Sequence, residues 1–187
     1  MEALVRRHVP ELKLVEKVDS PLMRALGRVL QPINPDFMER YTTVIGSTIY
    51  LPRPKATFPP DALAQTLAHE LVHQLDMQAL GPLFYVSYAA TPLPVWRTHR
   101  AYWERRGYAV DLMLALEIGG EARLVAVESW IRGVFAGPAY GWMWGGRPAA
   151  ARFLKPVVDE VRSGALQQRF PYREVLEAWR SPPVRAS

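Results

Sequence analysis

The most regular pattern of apolar and polar positions lies between Asp61 and Leu80. Leucine recurs at every fourth position of this segment, at Leu63, Leu67, Leu71 and Leu75. Residues with this spacing share one face of an α-helix, so the pattern predicts a helix that buries one stripe. Two prolines precede the segment and Gly81-Pro82 follows it, and both are typical helix boundaries. We therefore predict a helix over 61–80.

Five more helices are predicted from apolar spacing and from the residues at their ends. Ser20 is suited to cap the first of them, with Pro21 at its first position. Pro156 is expected to strain or break the fourth, because proline lacks the N–H that a helix needs. The five segments are Ser20–Leu30, Trp96–Ile118, Glu121–Phe135, Ala149–Arg162 and Tyr172–Trp179. A glycine- and aromatic-rich stretch, 137–148, is predicted to be a loop.

Strand-forming residues occur in two places. The sequence LKLV at 12–15 predicts a short strand, and Tyr41–Pro52 is rich in β-branched and aromatic residues. Gly46 predicts a bend in the second segment, which is then one strand or a hairpin. Since the chain shows neither an internal repeat nor a linker, we expect one mainly helical α+β domain over residues 1–187.

The amino-acid composition limits which metal ligands and which partners the chain can have. The 187 residues include no cysteine, so a metal site would have to use imidazole and carboxylate ligands. No apolar run is long enough to cross a membrane and no secretory signal is recognisable, so a cytoplasmic location is expected and a membrane partner is not. The net charge of +5 is spread over scattered arginines. Nucleic-acid binding is therefore possible but is not favoured.

Two of the four histidines lie in the sequence HELVH, at His69 and His73. Residues four apart on a helix project from the same face, so both imidazoles can reach one zinc ion. Glu70 lies on the flank of that face, where it can take a proton from a metal-activated water without being a ligand. The HExxH pattern therefore predicts a metalloprotease site with one zinc ion per chain.

A catalytic zinc site needs a third protein ligand and one open position. Asp76 is near in sequence, but its short side chain lies too far along the helix, so a role as a supporting or capping group is predicted. Glu104, Tyr108 and Asp111 share one face of the next long helix. Glu104 is the favoured ligand, and Asp111 is expected to orient an imidazole. His99 and Glu128 are the rival ligands.

The order of a strand (GSTIYLP), an HExxH helix (TLAHELVHQLD) and a later helix with Glu104 resembles the gluzincin branch of the zincin metallopeptidases. The resemblance covers about 41–118, and a C-terminal helical extension of about 120–187 follows. It implies a zincin-like core with a small sheet packed on the HExxH helix. It also implies that a glutamate of the later helix, here Glu104, is the third zinc ligand.

These residues predict a zinc-dependent peptidase acting on peptides or proteins, with Glu70 as general base. A further group must stabilise the oxyanion of the transition state, and four side chains are candidates for it. They are Tyr88, His99, Arg100 and Tyr108. Two alternatives fit the same residues: a zincin-like metal-binding regulator, and a nucleic-acid-associated protein with restricted or no proteolysis. An intact Glu70 favours the peptidase, because a regulator has no need of a general base.

A peptidase must hold its substrate extended, and an exposed sheet edge does so by adding the substrate as one more strand. The strongest strand signal ends 18 residues before His69 and is followed by prolines. We therefore predict that this segment is the upper rim of the cleft and that its free backbone groups bind substrate. Its residues are Gly46, Ser47, Thr48, Ile49, Tyr50 and Leu51.

Overall fold

The computed structural model describes residues 1–32, 34–90, 95–137 and 146–181. This part of the chain is mainly helical and carries one small sheet, as the sequence predicts. Its helices are α1 (Glu2–His8), α2 (Pro21–Leu30), α3 (Phe37–Arg40), α4 (Pro60–Leu80), α5 (Pro82–Tyr85), α6 (Val95–Ala136), α7 (Arg147–Ser163) and α8 (Tyr172–Arg180). Its strands are β1 (Lys13–Glu16), β2 (Thr43–Ile45) and β3 (Thr48–Leu51).

Most of the predicted helix boundaries are confirmed. The Ser20 side chain accepts a hydrogen bond from the Met23 N–H and caps α2, with Pro21 at its first position. The long run of α6 loses helical geometry at Gly119 and Gly120, where the second and third predicted helices were separated. The predicted loop over 137–148 falls largely outside the described residues.

Two features of the helices differ from the sequence analysis. The α7 helix continues through Pro156 without a break. The sequence also gave no prediction of α1, whose seven residues are too few to show a clear periodicity. Leu4 and Val5 of α1 are nevertheless buried, and His8 at its end contacts Glu174 of α8 at 2.8 Å.

The sheet has the strand order β1-β3-β2. β1 runs parallel to β3, with Lys13 opposite Thr48, and β2 runs antiparallel to it, with Thr43 opposite Tyr50. The hairpin turns at Gly46, whose φ of 57° is readily adopted by glycine. The predicted bend is therefore present and closes a β2–β3 hairpin.

This strand order contradicts the prediction that the segment 46–51 offers a free edge. β3 is the middle strand, so its backbone groups pair on both sides. The residues before it are also engaged: the Gly46 N–H donates to the Tyr85 hydroxyl, and the Ser47 carbonyl accepts from the Lys13 N–H. The strand signal was strong because a central strand buries alternate side chains, here Ile49 and Leu51. Its pairing on both sides excludes Thr48, Ile49 and Tyr50 from a free edge.

One buried apolar cluster joins the two ends of the chain. It includes Leu4 of α1, Ile49 of β3, Leu71 of α4, Leu112 of α6 and Leu176 of α8. The helices after Gly120 thus share their core with the segment that resembles the zincins. No helix within the described ranges is long and apolar enough to span a membrane.

Candidate metal centre

The candidate metal centre lies where α4 packs on α6. The first helix presents His69 and His73, and the second presents Glu104, as the spacing in the sequence predicts. The two Nε2 atoms are 3.2 Å apart, and Glu104 Oε2 lies 4.0 Å from each of them. Among the described residues, these three form the group of donor atoms that could hold a metal ion.

The donor separations fit a zinc ion. Two ligands bound at about 2.0–2.1 Å in tetrahedral geometry lie roughly 3.3–3.4 Å apart. The histidine pair is already at that spacing, and the Glu104 oxygen is only slightly farther out. Two imidazoles and one carboxylate, with a fourth position left for water, form a donor set typical of catalytic zinc.

The tautomer of His69 also favours a metal. Its Nδ1 lies 2.6 Å from Asp111 Oδ2, and a carboxylate accepts, so Nδ1 carries the proton. Once the ring has lost its second proton, the Nε2 lone pair of His69 faces His73 and Glu104. His73 Nδ1 is buried and has no hydrogen-bonding partner in the described part of the chain. Asp111 thus makes the imidazole contact that was predicted for it.

The Glu104 carboxylate is held from its other side. Its Oε1 accepts a hydrogen bond from the Tyr88 hydroxyl, while Oε2 faces the histidines. Burial and the neighbouring Glu104 charge raise the pKa of Tyr88, so the hydroxyl keeps its proton as a donor. Glu104 is only 3% exposed, which makes this support important for a buried charge.

Protonation in the metal-free protein follows from burial and from the clustered carboxylates. Burial favours the neutral form of both histidines, and the proximity of His69 and Arg106 adds to this at His73, whose pKa lies well below its ordinary value. At His69, Asp111 and the nearby Glu70 and Glu104 outweigh burial and raise the pKa to about 9. A metal would therefore bind in competition with the proton on His69.

Glu70 is buried beside the histidines and contributes to the walls of the cleft. Burial raises the pKa of its carboxyl to about 7, and the nearby His69 acts in the opposite direction. A carboxyl with a pKa near neutrality can alternate between proton acceptor and proton donor at physiological pH. Its position is the one that the HExxH pattern predicts for a base.

The sequence did not identify Gly107 as part of this site. A Cβ on Gly107 would lie 2.4 Å from His69 Nε2 and 2.7 Å from Cε1, so glycine lets the ring pass between the two helices. A glycine inside a helical pattern costs about 1 kcal/mol and often has a packing reason. The sequence could have indicated this role, because Gly107 lies between Glu104 and Asp111 inside the predicted helix.

The helical conformation around Tyr88 could also have been recognised from spacing. The segment 81–94 was treated as a connection, but its described part, 81–90, contains α5 and a further helical turn, Val86–Ala90. Phe84 and Tyr88 are four residues apart and stack with ring centroids 5.5 Å apart. The helical spacing of these aromatics was therefore present in the sequence, but the prolines on either side favoured a loop instead.

The rival ligands lie elsewhere. His99 is exposed and does not line the cleft, so its roles as a ligand or an oxyanion donor have no support. Glu128 pairs with Arg132. Asp76 accepts hydrogen bonds from Arg106 at 2.8–3.1 Å and joins α4 to α6, so the predicted supporting or capping role is replaced by an inter-helix ion pair.

Two cavities meet at the metal centre, and both are lined by Tyr41, Thr42, His69 and Glu70. The first, of about 340 Å³, extends from the ligands toward α2 and β2. The second, of about 420 Å³, extends past Asp111 toward Trp130. Because they share these four residues, we refer to them as the two halves of the cleft. Tyr88 and Arg100 line the first half, whereas Tyr108 lines the second and packs its ring 5.0 Å from that of His69.

We predict that Gly107→Ala weakens zinc binding by about 10–100-fold, the range seen when groups that orient a ligand are altered. The new methyl group collides with the His69 ring and pushes it away from His73 and Glu104. Competition with a chromophoric chelator would measure the affinity. Gly133→Ala in the same helix is the control, since its Cβ meets the flexible tip of Arg147. Equal zinc affinity in both variants would contradict the prediction.

We predict that Glu104→Ala reduces zinc affinity by more than about 100-fold, whereas Asp76→Ala changes it by only a few-fold. Asp76→Ala should instead lower the free energy of unfolding by about 1–2 kcal/mol, because it leaves the half-buried Arg106 without its partner. Metal analysis after dialysis and thermal unfolding separate the two effects. A larger zinc loss in Asp76→Ala than in Glu104→Ala would reverse the assignment.

Compared with protein-family models, characterised proteins and solved structures, the chain shows no match. The likeness to the gluzincins therefore rests on the HExxH motif and on the residues gathered around it.

Proposed function

We propose that this chain is a zinc-dependent metallopeptidase that hydrolyses peptide bonds of extended substrates. The observation that carries the proposal is the convergence of His69, His73 and Glu104 on one point, with the buried carboxyl of Glu70 beside them in an open cleft. When bound there, zinc would polarise the scissile carbonyl and make water a stronger nucleophile at neutral pH. The protein's own residues supply the remaining functions.

Glu70 moves the proton. Its carboxylate accepts a proton from the attacking water and delivers it to the leaving nitrogen, a role that its position beside the ligands allows. Because Glu70 lines both halves of the cleft, it can reach a substrate lying across them. A site that only stored or sensed a metal would have no need of a proton acceptor at this position.

The oxyanion donor is best sought among the residues of the first cavity. Tyr88 and Arg100 both line it, and the Arg100 guanidinium lies 5.2 Å from the centre of the Tyr88 ring. Tyr88 keeps its proton, and its hydroxyl donates to Glu104 Oε1, so a donor lies beside the ligands, where a substrate carbonyl would be held. A protonated phenol and a guanidinium are both suitable donors to a developing negative charge.

The substrate-binding edge is better assigned to β2 than to β3. β2 is at the end of the strand order, and Thr43, Val44 and Ile45 line the first cavity. In a hairpin with a two-residue turn, the closing pair Ile45 and Thr48 exchanges hydrogen bonds, and the next pair does not. The N–H and carbonyl of Val44 then face the open edge, where they can pair with an extended peptide.

We predict that Glu70→Gln retains zinc but loses nearly all hydrolysis, by about 100-fold or more, because the amide cannot accept the proton. Zinc content and cleavage of an unfolded protein would be measured on the same preparation. His73→Ala is the contrasting variant and should lose both metal and activity. If Glu70→Gln sheds zinc as readily as His73→Ala, then Glu70 is a ligand and the mechanism is wrong.

We predict that Val44→Pro lowers kcat/KM by more than about 10-fold while zinc content and melting temperature are kept. Proline removes the outward N–H without removing a hydrogen bond of the β2–β3 ladder. Val44→Ala is the control, since it shortens the side chain and leaves the backbone donor. The substrate lies elsewhere if both variants lose activity equally, or if neither does.

A further inference from the structure

The half of the cleft between the ligands and α2 has a mainly apolar wall, although the ligand end of the same cleft is rich in charged groups. We call it the apolar pocket. Most of its lining beyond the metal centre is apolar and consists of Leu26 and Leu30 of α2, Phe37 of α3, Ile45 of β2, Met77 of α4 and Phe84 of α5, together with Val44. Uncharged polar side chains complete the wall, and these are Asn34, Tyr41, Thr42, Thr43 and Tyr85. The charged side chains among its described lining residues are His69, Glu70, His73, Arg100 and Glu104, and all of these belong to the metal end.

We infer that the apolar pocket binds a large apolar side chain of the substrate, of the size of leucine or phenylalanine, next to the scissile bond. The inference rests on the proposed peptidase function and names the substrate class that this site selects. Leu26 and Leu30 are the specificity-determining residues. They lie in α2, upstream of the segment that resembles the zincins.

The volume of the pocket sets the size of the occupant. At about 340 Å³ it is near the lower end of the roughly 300–1,000 Å³ that ligand sites span. That space is sufficient for one large side chain together with the backbone that leads into it. A helix of a partner protein, about 10 Å across, would not fit.

The chemistry of the wall sets the class of side chain. Aliphatic, aromatic and thioether groups gain from covering an apolar side chain and offer no counter-charge to a buried ammonium or carboxylate. A lysine or aspartate entering from the substrate would lose its water without a partner at Leu26, Leu30 or Phe37. A short side chain such as alanine would leave the pocket partly unfilled. Leucine and phenylalanine satisfy both conditions.

The wall is fixed before substrate arrives. Lys17 is fully buried, and its ammonium donates to the Phe37 carbonyl at 2.7 Å and lies 3.6 Å from the centre of the Phe37 ring. A Cβ on Gly27 would lie 2.7 Å from Met38 Sδ, so α2 and α3 are in close contact. A pocket with a preset shape discriminates between side chains, because the protein does not adapt to poorly fitting ones.

On the opposite side of the pocket, a hydrogen bond joins α5 to the β2–β3 hairpin. The hydroxyl of Tyr85 in α5 accepts a hydrogen bond from the Gly46 N–H at 2.8 Å. This contact ties the turn of the β2–β3 hairpin to α5. The strand edge that would carry the peptide and the pocket that would receive its side chain are therefore held in one arrangement.

The test begins with the zinc-loaded, full-length protein and an unfolded protein substrate, whose cleavage sites are mapped by mass spectrometry. We expect leucine, phenylalanine and methionine to be enriched at one of the two positions flanking the cleaved bond. Peptides that differ only at that position should then show kcat/KM about 10–200-fold lower for alanine than for leucine, the range that missing methylenes produce. Lysine and aspartate should be poorer still.

A charge reversal tests the named residues. Leu26→Glu and, separately, Leu30→Glu should raise the ratio of kcat/KM for the lysine peptide to that for the leucine peptide by at least about 10-fold. Glutamate suits a helix as well as leucine does, and both leucines are only half-buried. Val29→Glu on the same helix is the control, since Val29 is 72% exposed and lies outside the pocket lining. Zinc content and melting temperature are measured for all three variants.

Peptide binding, followed by fluorescence anisotropy with zinc-loaded Glu70→Gln, separates the inference from the proposed function. If the leucine peptide binds best but the wild-type protein cleaves no peptide, the pocket inference is supported and the proposed peptidase function is wrong. Cleavage with no preference at either flanking position, or with a preference unchanged in both leucine variants, would overturn the pocket and leave the peptidase standing. If no peptide is bound or cleaved, the inference is wrong.

Discussion

The close approach of α4 and α6 is the constraint on which the site depends. It requires Gly107, because any side chain there would occupy the space of the His69 ring. At this spacing His69 Nε2 reaches to 4.0 Å from Glu104, and its Nδ1 meets Asp111 at 2.6 Å. The same helix thus supplies the third donor, the orienting carboxylate and the gap between them. Moving the helices apart by the width of one methyl group would separate all of these contacts.

Several charged side chains are buried in this structure. Glu70 and Glu104 are almost entirely removed from solvent, and Lys17 is completely buried. Burying a charged group destabilises the fold unless the group is paired or, for a carboxylate, protonated or bound to a cation. Asp76 is paired with Arg106, and the ammonium of Lys17 contacts the carbonyl oxygen and the ring of Phe37. The cluster around His69 retains an excess of carboxylates and has pKa values displaced from their ordinary range. A divalent ion would supply the missing positive charge, so the fold and the proposed cofactor favour each other.

The cleft draws on parts of the chain that lie far apart in sequence. The metal donors come from α4 and α6, the strand edge from β2, and the apolar wall from α2 and α3. The part of α6 after Gly120 shapes the other half, where Trp130 and Val134 line the second cavity. The segment after Gly120 therefore takes part in both the core and the cleft. Substrate choice in the proposed peptidase would then be decided mainly outside the HExxH helix.

The sequence by itself determined the local features. Periodicity gave α4 and both parts of α6, Ser20 gave the start of α2, and the HExxH spacing placed both imidazoles on one face of a helix. Glu104 and Asp111 were recognised because they share a face and lie among apolar residues. Only tertiary structure decided the contacts between elements. The middle position of β3, the ion pair of Asp76, the role of Tyr88 and the burial of Lys17 each depend on a partner distant along the chain. Periodicity reports which face of an element is buried, and it carries no information about which neighbour does the burying.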